Sequence, residues 1–64
     1  MVAQKPLRFL RAHEVTAKTG LSRSAIYAEP GFPKPVKISA KASAWVESEL
    51  EFWMAARMAS RGQK

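Results

Sequence analysis

Three side chains able to recognise another molecule fall within one short window, Arg23, Ser24 and Tyr27. A guanidinium is a planar fork of donors that matches a guanine edge, and a serine hydroxyl donates to a phosphate or a base. A capped, solvated helix start is the plain alternative for Arg23 and Ser24. Tyr27 lies one helical turn beyond Arg23 and has two readings, a hydroxyl reaching a phosphate or a half-buried core ring. Lys37 and Lys41 follow on a short basic stretch. They suit phosphate or minor-groove contact, and they equally suit the lysines that guard short edge strands against aggregation. Arg8 and Arg11 flank the first helical pattern and offer backbone contacts. Lys18 has no obvious acid partner in its neighbourhood, whereas Lys34, between two prolines, can serve simply to keep a loop wet.

Bond-making chemistry finds much less support. His13 beside Glu14 is the one pair suited to acid–base work, but no nucleophile accompanies it. A chain of 64 residues forms no deep cleft, so His13 reads as a surface histidine. With one His, no Asp and no Cys, neither a metal site of ordinary ligand makeup nor a disulfide framework is available, and no cofactor or small-molecule substrate is expected. The longest apolar run, Phe52 to Ala56, is far too short for a membrane span. Nothing resembles a signal peptide, so a cytoplasmic protein is expected.

Charge points to a polyanion. Eleven Lys and Arg oppose five acids, a net charge of +6. From Lys5 to Lys41 there are eight bases against Glu14 and Glu29 alone, while Glu47, Glu49 and Glu51 crowd the start of the last helix. Nucleic acid is the default partner of such an asymmetry, ordinary solubilising charge the bland one.

The elements that must position these residues are short. At this length a fold buries only roughly 60% of the surface its unfolded chain exposes, so two Trp, three Phe and one Tyr carry much of the core. Residues 1–7 read as a flexible arm, 8–61 as one domain and 62–64 as a frayed tail, with fraying beginning from Ser60. Leu7 to Leu10 reads as extended. Ala12, Val15, Thr16 and Thr19 repeat with helical spacing and Gly20 ends that helix. Leu21 reads as a buried staple. Ser22 caps a second helix of about six residues with Ile26 inward and Arg23, Ser24 and Tyr27 outward. Pro30 and Gly31 stop it. Val36 and Ile38 alternate with Lys37 and Ser39 as in a strand; Ala40 to Ser43 is a turn with Lys41 at its tip, and Ala44 to Val46 returns. The last helix begins near Ser48 with a Ser48–Glu51 capping box. It turns Leu50, Trp53, Met54 and Met58 to the core, where Trp45 closes the hairpin and Trp53 anchors the helix. The fold expected is α+β and mostly helical, a small winged helix-turn-helix with two short helices, a β-hairpin wing and a longer C-terminal helix.

One feature favours a different class, a protein-interaction module such as a small anti-repressor. Phe52 points away from the core stripe and joins Ala55, Ala56 and Ala59 in a second apolar face. An isolated surface aromatic is the bland reading. A short recognition helix reads few base pairs, so cooperative self-association on DNA is expected through this face, with monomers head to tail on direct repeats.

Arg8-Phe9-Leu10-Arg11, Glu14-Val15, Thr19-Gly20-Leu21-Ser22-Arg23-Ser24 and Ile26-Tyr27, in that order, resemble the AlpA family of prophage regulators. So do Phe32-Pro33-Lys34-Pro35-Val36-Lys37, Trp45, Glu47-Ser48-Glu49 and Trp53, and the likeness covers Arg8 to Arg61. The resemblance implies a MerR-like winged helix-turn-helix that binds DNA. Its members regulate transcription of phage and mobile-element genes, or act as excisionases that set the direction of recombination. An integrase or another phage regulator is then a further partner. By matching position, Ser22, Arg23, Ser24 and Tyr27 fall on the recognition helix, and Lys37, Lys41 and Ser43 on the wing. Two departures stand out. Only Ala28-Glu29-Pro30-Gly31 separates Tyr27 from Phe32, where members commonly carry a longer turn, so the recognition helix is cut short. Lys41 and Ser43 stand where a wing tip often bears arginine, which exchanges a planar fork for a point charge.

Overall fold

A computed structural model describes residues 7–61; the expected arm over 1–6, with Lys5, and the expected tail over 62–64 lie outside them. Leu7, the last residue of the expected arm, is exposed and belongs to no strand. The element order is β1 (Phe9–Leu10), α1 (Ala12–Thr19), α2 (Arg23–Ala28), β2 (Val36–Ser39), β3 (Ala42–Val46) and α3 (Glu47–Ser60).

α1 and α2 form where their spacing and caps predict. Glu14 accepts the Arg11 backbone N–H at 2.8 Å and so ties off the start of α1. Gly20 closes α1 at φ 80°, a left-handed geometry that costs a residue with a Cβ about 1–2 kcal/mol. Its N–H reaches the Thr16 carbonyl at 2.8 Å. Ser22 then caps α2, its Oγ accepting from the Ala25 N–H at 3.1 Å. Leu21 between them is only partly buried against the core.

The extended segment before α1 does more than extend. β1 pairs antiparallel with β3, Phe9 opposite Val46 and Leu10 opposite Trp45. The hairpin wing therefore grows into a three-stranded antiparallel sheet, ordered β1-β3-β2. The hairpin is also tighter than its sequence suggests: Ala40–Lys41 alone form the turn and β3 already begins at Ala42. The register runs Val36 opposite Ala44, Lys37 opposite Ser43 and Ser39 opposite Ala42, with an irregularity at Ile38. Every residue of β2 is exposed, so the alternation of Val36 and Ile38 buries neither, as befits an edge strand.

α3 starts one residue earlier than expected. Val46 is both the last residue of β3 and the helix N-cap, and it makes no side-chain cap hydrogen bond. The Glu47 N–H instead donates to the Arg8 carbonyl at 2.9 Å. Strand pairing thus sets the helix start, and Ser48 does not serve as the cap. Leu50 is fully buried, and Trp53 and Met54 partly, but Met58 is exposed because α3 runs past the elements beneath it.

The core takes one residue from nearly every element: Leu10 from β1, Val15 from α1, Ile26 from α2, Phe32 from the loop, Trp45 from β3 and Leu50 from α3. Each large apolar side chain buried this way contributes about 1.5–3 kcal/mol. The Trp45 indole N–H donates to the Pro33 carbonyl at 3.1 Å, satisfying the buried ring and holding the proline loop on the sheet. Phe32 meets Trp53 edge to face at 4.9 Å, which fastens the same loop to α3. The molecule is a small α+β winged helix-turn-helix.

Candidate nucleic-acid interface

With Ile26 in the core at 2% exposure, α2 can present only its other sides to solvent, and its N-cap Ser22 is exposed too. Arg23, Ser24 and Tyr27 are all exposed. The Tyr27 ring packs edge to face on Trp45 at 5.5 Å, yet 59% of the residue stays accessible. After Ala28 the helix ends at Glu29, whose N–H bonds to the Ala25 carbonyl at 2.8 Å. Pro30 and Gly31 (φ 79°) then make a tight turn, closed by the Phe32 N–H on the Glu29 carbonyl at 3.2 Å. α2 is therefore as short as its sequence implies.

Side chains two apart on a strand share a face. Ser43 and Lys37, opposite each other, accordingly lie on the same sheet face as Trp45, the ring on which Tyr27 packs. The wing and the exposed side of α2 are thereby joined through one aromatic contact. Lys37 donates from Nζ to the Ala40 carbonyl at 3.2 Å, bracing the turn. The Lys41 N–H bonds to Ser39 Oγ at 3.3 Å, which leaves the Lys41 side chain projecting from the tip. Ser43, within β3, is partly buried.

Two of the expected cationic contacts are differently engaged. Lys18 is not without an acid: its Nζ lies 3.5 Å from Glu47 and 3.4 Å from Glu51. Arg8 meets Glu14 at 3.8 Å and Glu47 at 3.5 Å. Arg8, just before β1, thus joins Glu14 and Lys18 of α1 and Glu47 and Glu51 of α3 in one ionic network, with Glu47 at its centre and its side chain 14% exposed. Glu47 and Glu51 sit four apart on one helix face, the only sequence signal for this pairing. Arg11, Arg23, Lys34, Lys37 and Lys41 make no ion pair with any described residue. α2, β2, its turn and β3 contain no acid at all.

A second feature escaped the linear reading. The Phe52 face, with Phe52 itself 78% exposed, is one wall of an open apolar groove of about 790 Å³. Phe52, Trp53 and Ala56 of α3 face Phe32, Pro33 and Val36 across it, while Ala55 and Ala59 do not line it. No group of His, Cys, Asp and Glu among the described residues is arranged to hold a metal ion.

The chain is 47% identical over 57 residues to the uncharacterized protein ORF88 of Enterobacteria phage P4, a match spanning 84% of this chain and 65% of that protein. It is 32% identical over 60 residues to the DNA-binding transcriptional activator AlpA of Escherichia coli (strain K12), spanning 80% of this chain and 86% of that one. No solved structure matches it. Residues 8–58, from the edge strand through most of α3, match the family described as prophage CP4-57 regulatory protein (AlpA), and the chain belongs to that family.

Proposed function

We propose that this chain is a sequence-specific double-stranded DNA-binding regulator of phage or mobile-element genes, working in the bacterial cytoplasm without cofactor or catalysis. The observation that carries this reading is the division of charge. Glu14, Glu47 and Glu51 are engaged by Arg8 and Lys18 at the junction of β1, α1 and α3, and the acid-free α2 and wing keep Arg23, Lys37 and Lys41 exposed. In this reading Ser22, Arg23, Ser24 and Tyr27 meet the major groove, Lys37, Lys41 and Ser43 meet the flanking backbone, and Arg11 adds a phosphate contact. Arg8 and Lys18 contribute through the fold. One module of this kind serves transcriptional control and excision alike, and the E. coli relative, itself named a transcriptional activator, favours the former. No described helix is long and apolar enough to cross a membrane.

Salt titration of affinity for a duplex selected from a random library tests this. Neutralising about four phosphates gives a log–log slope near −3.6, or −4.5 if Lys34 adds a fifth. An affinity indifferent to salt refutes the reading and favours the anti-repressor alternative.

A further inference from the structure

The groove between α3 and the proline loop has a rim of two opposite charges. Lys34 stands on the loop side and Glu49 on the helix side; both line the groove and neither forms an ion pair with a described residue. Its floor is aromatic, Phe32 edge to face with Trp53, and Phe52 stands out of it. A patch with a projecting ring, a recess and one charge of each sign is complementary to itself under a two-fold rotation. We infer that a second copy of this chain docks there isologously. Each Phe52 enters the partner copy's recess beside Val36, and each Lys34 meets the partner copy's Glu49.

The arrangement differs from a head-to-tail chain of monomers in closing at two copies. Eleven residues line the groove, against about 20–30 a side in a standard stable interface. Two cationic copies also repel. Free association is therefore weak, with Kd of about 0.1–1 mM, and tightens when DNA holds two copies together. The solution dimer needs no DNA, so the inference stands or falls apart from the proposed function.

Sedimentation equilibrium up to about 2 mM chain, without DNA, is the test. The wild type is expected to approach the dimer mass and go no further. Phe52→Ser, at an exposed position, should keep the far-UV spectrum and thermal midpoint and stay monomeric. Lys34→Glu alone and Glu49→Lys alone should each stay monomeric, while an equimolar mixture of these two variants should dimerise. In the mixed pair, both rim contacts regain opposite charges. A wild type monomeric throughout overturns the inference and leaves the groove to another protein. Dimerisation of Phe52→Ser, or no rescue in the mixture, puts the contact elsewhere. Mass growing beyond the dimer overturns two-fold closure in favour of a head-to-tail chain.

Discussion

Replacing Glu47 by Gln removes one charge and almost no volume from the centre of the ionic network. Two cations lose a partner at 3.5 Å, Arg8 Nη1 and Lys18 Nζ. At an effective dielectric constant of about 20, each pair has a gross Coulomb energy of about 5 kcal/mol. Desolvation, side-chain ordering and screening reduce such pairs to about 0.2–1 kcal/mol each, the more so because Arg8 is 59% exposed. Glu47 is also the first residue of α3, where a negative charge adds about 0.3–1 kcal/mol against the helix dipole. The sum is about 0.7–3 kcal/mol. In a domain this small, that lowers the thermal midpoint by about 5–20 °C. Circular dichroism melts of the wild type and Glu47→Gln at about 0.02 M and 0.5 M salt would measure it. The gap should be widest at low salt and shrink as the Debye length falls towards a few ångströms. An equal gap at both salts would mean that Glu47 acts by packing, and no gap would mean that the network contributes nothing to stability.

Lys18→Ala should lower the melting temperature through the same network and leave the salt slope of DNA binding unchanged; a slope shallower by about 0.9 would return Lys18 to the DNA contacts. Arg23→Ala should cost about 1–3 kcal/mol on the selected duplex and flatten the preference for it, whereas Lys41→Ala should weaken all sequences alike; competition assays with matched and scrambled duplexes separate the two. Leu50→Ala empties a fully buried site and should cost about 2–5 kcal/mol, much of the total stability of so short a domain, as read by urea unfolding. Gly31→Ala meets no atom within 4 Å but takes a Cβ to φ 79°, so it should cost about 1–2 kcal/mol by backbone strain alone, measured in the same way.

The local grammar of the chain was legible. Gly20, Ser22 and the Pro30–Gly31 pair each act within a few residues, and the two short helices begin and end where those residues demand. Ile26 inward with Arg23 and Ser24 outward follows from helical periodicity and holds in space. What stayed hidden depends on contacts across the chain. Nothing in Phe9–Leu10 announces that it will pair with residues 45 and 46, and that pairing moves the start of α3 off Ser48. Lys18 finds its acids 29 and 33 residues away, so a search of its neighbours could not supply them. The Phe52 face was visible as an apolar stripe, but its opposite wall comes from the proline loop, and periodicity within one helix says nothing about a groove's second side.

The direct passage of β3 into α3, with Val46 shared between them, bears on where chains of this kind can gain or lose residues. One residue inserted at that junction turns the helix by about 100° about its axis. Leu50 would then leave the core, and Glu47 would swing away from Arg8 and Lys18. A residue added at the Ala40–Lys41 turn, or at the exposed Pro30–Gly31 turn, lengthens a surface loop. Length variation among relatives should therefore collect at the wing tip and in the turn after α2, and be absent from Ala42 to Leu50. The surfaces proposed to read DNA are thus free to diverge in length, while the strand–helix junction behind them is held to a fixed count of residues.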